Sequence, residues 1–177
     1  HIDLDDAEIG KNIERVLSVH ADAGQALTQL LEKVPQKDNA QWTGELSTYK
    51  QKLLSQKKPQ SEVPTPQTVL PKLRKYLGDD GIIVTDVGQH QMWTAQYCSF
   101  QKPRTFLSSC GLGTMGYGLG AAIGAQVGNP EKPVVLVTGD GSFHMNMNEL
   151  ATAVTFGLPL VVLIMNNSVL GMVRQWQ

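Results

Sequence analysis

Asp140 stands between Gly139 and Gly141, where the hydrophobic run "PVVLVT" stops, and Asn166–Asn167 close the next hydrophobic run, "LPLVVLIM". Asn167 follows the aspartate by 27 residues. An aspartate so placed is a turn residue, a helix cap or a metal ligand, and Asp-Gly and Asn-Asn pairs often do no more than turn the chain. One carboxylate with one amide oxygen, completed by a backbone carbonyl and water, is a hard oxygen set of the kind that suits Mg²⁺. Magnesium held by so few protein groups takes its remaining ligands from bound phosphates.

That chemistry requires the two runs to be neighbouring parallel strands. A helix between them, read from "MNELATAVTFG", makes a single βαβ unit. Its right-handed crossover brings both strand ends to one edge of the sheet, and ligands of open α/β sheets bind at that edge. Asn146 is the expected cap of this helix, with Glu149 in the capping-box position. The helix N-terminus and the glycine amides would then favour a diphosphate.

The same alternation recurs upstream. "GIIVTDVG" (81–88) reads as a buried strand and turn, "RTFLSS" (104–109) as a weaker strand, and "CGLGTMGYGLGAAIGAQVG" (110–128) as a loop into a closely packed helix. "TPQTVLPKLRKYLG" is a helix with Thr65 as N-cap, Pro66 at its first position and Gly78 just past its end, in which Pro71 predicts a kink or a late start. Strands alternating with helices give an α/β fold: a parallel sheet with helices on both faces, preceded by the end of another α/β domain.

Three segments follow from the change in texture. Residues 1–34 read as strand, short helix, loop and helix, with Ala26, Leu27, Leu30 and Leu31 on one helical face, and end another domain. Residues 35–64 are a linker carrying one possible amphipathic helix through Trp42, Leu46, Tyr49, Leu53 and Leu54, and "QKKPQSEVPTP" closes it. Residues 65–177 form the domain that holds Asp140. The start at His1 inside a strand-like "HIDLD" and the end in mid-pattern suggest a piece of a longer protein.

Composition removes several classes of function. A formal net charge of −1 over 177 residues, with no long charge run, argues against nucleic acid or a membrane surface as partner. "LPLVVLIM" is far shorter than the roughly 20 residues of a membrane helix and suits a strand buried on both faces. Cys98 and Cys110 lack CxxC spacing and read as ordinary thiols of a reducing, cytoplasmic compartment. No second histidine lies near His90 to suggest zinc. "GLGTMG" (111–116) satisfies GxGxxG, but no buried strand precedes it and no acid ends the next strand at the right distance, which disfavours a nicotinamide site.

"GDGSF" followed by "NN" resembles the cofactor signature of thiamine-diphosphate-dependent enzymes. "VTDVGQHQMWTAQY", "GLGTMGYGLGAAIGA", "GDGSFHMNMNELATAV" and "NNSVLGMVRQWQ" are similar to the large catalytic subunit of the acetolactate synthase family, and "HIDLDDAEIGKN" to the end of that family's FAD-binding domain. The resemblance implies thiamine diphosphate, Mg²⁺ and FAD as cofactors. It makes Asp140, Asn167 and the backbone carbonyl of Val169 the metal ligands. Val87, Gly88, Gln89 and His90 would meet the diphosphate, with Gly139, Gly141 and Ser142 beside the metal ligand. Gly113 and Met115 would support the bent cofactor, Met115 as an apolar wedge. Gly171 and Met172 would complete the pocket, with Met172 and Trp176 facing substrate; Ile2, Asp3, Ala21 and Asp22 would touch FAD.

The implied reaction decarboxylates pyruvate and condenses the remaining two-carbon unit with a second 2-keto acid, pyruvate or 2-ketobutyrate, in branched-chain amino-acid biosynthesis. A homodimer or tetramer of catalytic subunits is implied, with a possible small regulatory subunit. The family's activating glutamate lies in another domain, so no catalytic residue of that kind is expected here and the segment alone should be inactive. The alternatives are another thiamine-diphosphate decarboxylase or carboligase, or a non-catalytic cofactor-binding domain. Two positions depart from the family pattern: Gly120 stands where proline is common, and Cys110 where glycine is common.

Overall fold

The structure, a computed structural model, describes residues 1–14, 16–55 and 63–177, with the backbone alone at 54 and 55. The chain divides into two compact units, His1–Gln56 and Lys57–Gln177. Most of the "QKKPQSEVPTP" segment lies outside the described residues.

The first unit pairs β1 (Ile2–Asp3) in parallel with β2 (Val19–His20), followed by α1 (Ala23–Lys33) and α2 (Ala40–Ser55). The short helix expected after the first strand is absent, because Asp3 and Asp5 carboxylates take the Asp5 and Ala7 N–H groups and turn the chain instead. Asp22 caps α1 by accepting from Gln25 N–H at 3.0 Å. Of the expected apolar face of α1, only Ala26 is buried, while Leu27, Leu30 and Leu31 are exposed. Helix α2 forms as the spacing predicts, yet Trp42, Leu46, Tyr49 and Leu53 are all exposed.

The second unit is an α/β domain. It opens with α3 (Pro66–Leu77) and continues with β3 (Ile82–Thr85), α4 (Gln89–Tyr97), β4 (Phe106–Ser108) and α5 (Tyr117–Gly128). After these come β5 (Val134–Gly139), α6 (Asp140–Asn146), a 3₁₀ turn (Met147–Glu149), α7 (Leu150–Thr155), β6 (Leu160–Met165) and α8 (Gly171–Trp176). The strands make one parallel sheet in the order β4-β3-β5-β6. Alternation sorts its side chains. Ile82, Val84, Val134 and Leu136 pack with Leu119, Ala122 and Ala125 of α5, whereas Ile83, Val135 and Val137 pack with Leu70 of α3 and Trp93 and Tyr97 of α4.

Two expectations about elements need correction. Helix α3 runs through Pro71 from its predicted start, so there is no late start. The proline lies on the exposed side, where water can serve the carbonyl that loses its donor. Among the described residues strand β6 pairs only with β5 and is not buried on both faces: Val161 is 57% exposed.

The connections place the site. From β3 the chain passes through α4 to β4 on one side; after β5 it passes to β6 on the other. β3 and β5 are therefore adjacent strands whose connections diverge, and a crevice opens between their carboxyl ends.

Candidate functional site

Residues from both strand ends line that crevice, a cleft of about 230 Å³. After β3 come Val87, Gly88, Gln89 and His90; after β5 come Gly139, Asp140, Gly141 and Ser142. Gly113 and Met115 reach it from the turn before α5, and Asn167, Val169, Gly171 and Met172 from beyond β6. Every thiamine-diphosphate and metal residue expected from sequence thus lines one cavity. Trp176 does not: it is 86% exposed and outside the cleft.

The helix after β5 starts earlier than the sequence suggested. It begins at Asp140, with Gly139 as a cap that offers no side chain. Asn146 consequently precedes only the 3₁₀ turn, and its side chain caps no helix. Its Nδ2 donates to the Gly116 carbonyl at 3.1 Å, and Glu149 accepts from Thr152 Oγ1 at 3.0 Å rather than closing a capping box. An aspartate in a first helical turn suits the positive end of the helix dipole. Among the described residues, no donor reaches the Asp140 carboxylate; only its backbone carbonyl is used, by His144 Nδ1 at 2.8 Å. Asn167 Oδ1 accepts from Val169 N–H at 3.2 Å and so shapes the turn while it lines the cleft.

His90 is wedged between the two strand ends. A Cβ on Gly139 would lie 2.9 Å from its Nδ1, and one on Gly88 2.8 Å from its Cε1, so both positions must be glycine for the ring to fit. The residue is 4% exposed and its Nε2 is buried without a partner. Burial holds its pKa below the usual histidine value, against the opposing pull of the Asp86 carboxylate and carbonyl and of Asp140. Ser142 is not poised to donate to a ligand, because its Oγ–H goes to the Val87 carbonyl at 2.7 Å and ties the two strand-end loops together. Gln89 packs on Gly171 and donates to Gln175 Oε1 at 3.4 Å.

Sequence reasoning missed several residues. Trp93, Met165, Leu170 and Val173 form the apolar walls, and a Cβ on Gly141 would lie 2.5 Å from Leu170 Cδ2. Helical spacing after "GQH" could have pointed to Trp93. Asp86 was missed as well: it is 1% exposed and accepts from the N–H groups of Val87 at 2.7 Å, Gly116 at 2.9 Å and Gly118 at 2.9 Å.

The donor set fits a metal–diphosphate ligand. Among the described residues no lysine or arginine lines the main cleft, so a diphosphate there needs a cation together with main-chain and imidazole donors. The Asp140 carboxylate, free of protein donors, and the orphaned His90 nitrogen are groups of that kind. Among the described residues no cluster of three or more His, Cys, Asp or Glu side chains that could hold a metal gathers anywhere, the cleft included. In the first unit, Ala21 N–H donates to the Asp3 carbonyl at 3.1 Å, which brings Ile2, Asp3, Ala21 and Asp22 to one end of the strand pair.

Residues 86–177, just over half of the chain and the whole of this cleft, match the family described as thiamine pyrophosphate enzyme, C-terminal TPP binding domain. The chain belongs to the thiamine pyrophosphate enzymes. Over its whole length this thiamine pyrophosphate enzyme chain is 48% identical to the chloroplastic acetolactate synthase of Arabidopsis thaliana, covering 27% of that protein. It is 42% identical to the mitochondrial acetolactate synthase catalytic subunit of Saccharomyces cerevisiae, again covering 27%. It is 41% identical to the acetolactate synthase isozyme 3 large subunit of Escherichia coli, covering 32%. The chain thus spans less than a third of the length of these curated relatives. No helix among the described residues is long and apolar enough to cross a membrane.

Proposed function

We propose that this chain is the thiamine-diphosphate and Mg²⁺ domain of an acetolactate synthase catalytic subunit, a transferase acting on pyruvate and a second 2-keto acid. One observation carries the reading: Asp140, whose carboxylate accepts no hydrogen bond among the described residues, opens a helix at the divergence point of a parallel sheet, with Asn167 and Val169 lining the same cleft. Asp140, Asn167 and the Val169 carbonyl would hold Mg²⁺. Gly88, Gln89, His90 and Gly139 would surround the diphosphate, and Met115 would face the rings. Thiamine diphosphate, when bound, supplies the electron sink for decarboxylation.

The chain's own contribution is anchoring and exclusion of water. Gly88 and Gly139 leave two helix starts without a capping side chain, so main-chain N–H groups are open to an anion. Trp93, Met165, Leu170, Met172 and Val173 make the remaining wall apolar, which strengthens every charge interaction inside. A neutral His90, favoured by its burial, can donate one hydrogen bond without adding charge.

FAD bound near Ile2, Asp3, Ala21 and Asp22, a homodimer or tetramer, and a small regulatory subunit belong to the same reading. The names "large subunit" and "catalytic subunit" borne by relatives support the last of these. A reducing, cytoplasm-like compartment fits the unpaired Cys98 and Cys110.

Product analysis of the full-length protein tests the reading, with pyruvate, thiamine diphosphate and Mg²⁺ supplied and Asp140→Ala as control. Acetolactate that disappears in the variant is the expected result. Acetaldehyde alone would move the protein to a decarboxylase, and product indifferent to Asp140 would overturn the metal assignment.

A further inference from the structure

The turn that carries Met115 is gripped at one residue, Gly116, from two directions. Gly116 N–H donates to Asp86 Oδ1 at 2.9 Å, and the Gly116 carbonyl accepts from Asn146 Nδ2 at 3.1 Å. Asp86 follows β3; Asn146 is the last residue of α6, the helix that Asp140 begins. The same aspartate binds Gly118 N–H through Oδ2 at 2.9 Å and Val87 N–H through Oδ1 at 2.7 Å. One buried carboxylate therefore joins two glycines just after Met115 to the loop on which Gly88 and His90 lie. No basic side chain pairs with it among the described residues.

The backbone is built around this grip. Gly116 has φ +87° and Gly113 φ +65°, left-handed values that favour glycine at each side of Met115. At Gly118 a Cβ would lie 2.8 Å from Asp86 Oδ2, so the close approach of helix α5 to the carboxylate requires glycine there. Met115 itself lines the cleft.

We propose that Asp86 and Asn146 are positioning residues that set the depth of Met115 in the cleft, and with it the conformation in which thiamine diphosphate is held. The proposal rests on the thiamine-diphosphate reading of the cleft. An amide at position 86 is nearly isosteric but has a single acceptor oxygen. With that oxygen toward Val87 and Gly116, its NH₂ faces the Gly118 N–H; reversed, it faces the other two. Either orientation sets donor against donor and releases the turn on one side.

The test uses the full-length protein as wild type, Asp86→Asn, Asn146→Ala, Met115→Ala, and each of the first two combined with Met115→Ala. Two quantities are read in Mg²⁺: thiamine-diphosphate affinity, from quenching of tryptophan fluorescence, and hydrogen–deuterium exchange at the thiazolium C2 of the bound cofactor, from acid quench and NMR. Affinity is expected to stay within about threefold of wild type, because the anchoring residues are untouched. Exchange is expected to fall about tenfold in Asp86→Asn and less in Asn146→Ala. In the Met115→Ala background neither substitution should lower exchange further, since all three act through one side chain.

Affinity falling in step with exchange would show a general structural role and overturn the proposal. So would unchanged exchange in both single variants, or losses that multiply in the combined ones. If Asp86→Asn does not fold, Asn146→Ala and its combination with Met115→Ala decide by the same criteria. A wild type that binds no thiamine diphosphate would overturn the reading of the cleft itself, an outcome distinct from the others.

Discussion

Two aspartates follow neighbouring strands of the same sheet, each beside a glycine-containing turn, and the fold puts them to opposite uses. Asp86 after β3 is buried and spends its carboxylate on three main-chain N–H groups. Asp140 after β5 has no protein donor on its carboxylate and lines the cleft. The difference is one of height. Thr85 pairs with Val137, so Asp86 lies level with Thr138, and Asp140 stands two residues further along the sheet edge. The shorter strand places its acid inside the protein, where the turn before α5 consumes it; the longer strand carries its acid out to the crevice. An acid at a strand end is thus a ligand or a staple according to register.

The largest effect that sharpens this contrast is the loss of function at Asp140. Asp140→Ala in the full-length protein should lower the proposed carboligation by about 10³-fold or more, the scale of losing the charge stabilisation of the proposed metal. Its melting temperature should stay within about 2 °C of wild type, because no internal hydrogen bond is lost. A large fall in melting temperature would break the comparison, since Asp140 would then be a staple too.

Asp86→Ala should do the reverse within its own segment. Leaving three N–H groups, two of them buried, without their acceptor costs about 3 kcal/mol locally. Amide exchange across the turn before α5, followed by mass spectrometry, should accelerate by about 100-fold. Protection equal to wild type would mean that the carboxylate is not what holds the turn.

Two glycines of α5 give a smaller contrast. Gly118→Ala places a methyl 2.8 Å from Asp86 Oδ2 and from Leu136 Cδ1, and should cost about 1–3 kcal/mol. Gly120→Ala meets nothing within 4 Å on the exposed side of the same helix and should stabilise by about 0.5–1 kcal/mol. Thermal midpoints of the two variants should move in opposite directions; a shift of the same sign would count against the close approach at Gly118.

The smallest effect is electrostatic. Burial depresses the His90 pKa in the folded protein, so the unfolded chain binds the proton more readily. The stability contributed by neutral His90 is therefore complete above the unfolded value of about 6.5 and is lost as pH falls through the lower folded value. Asp86 opposes this depression, so Asp86→Asn should lower the His90 midpoint further, as read from its Cε1 proton by NMR. A midpoint that rises instead would show that the two groups do not face one another as described.

Much of the domain was legible before any coordinates. The unbroken apolar runs at 82–85, 134–139 and 160–165 gave the strands, and Asp140 with Asn167 could be paired by the geometry of one βαβ unit. What failed did so for identifiable reasons. The capping-box pattern at Asn146 and Glu149 describes local competition for N–H groups, and it was overridden by a helix already begun at Asp140 and by a bond from Asn146 to Gly116, 30 residues away. The apolar run of β6 suggested burial on both faces, but an apolar composition does not say whether a neighbouring strand or helix is present to cover it.

The sequence by itself determined that this is a parallel α/β domain with a carboxylate and an amide at matched strand ends, because side-chain periodicity and chain direction are local properties. Only the tertiary structure decided which of two similar aspartates stays free, because strand register and main-chain hydrogen bonds across 30 residues depend on how separate segments pack, and no spacing along the chain encodes them.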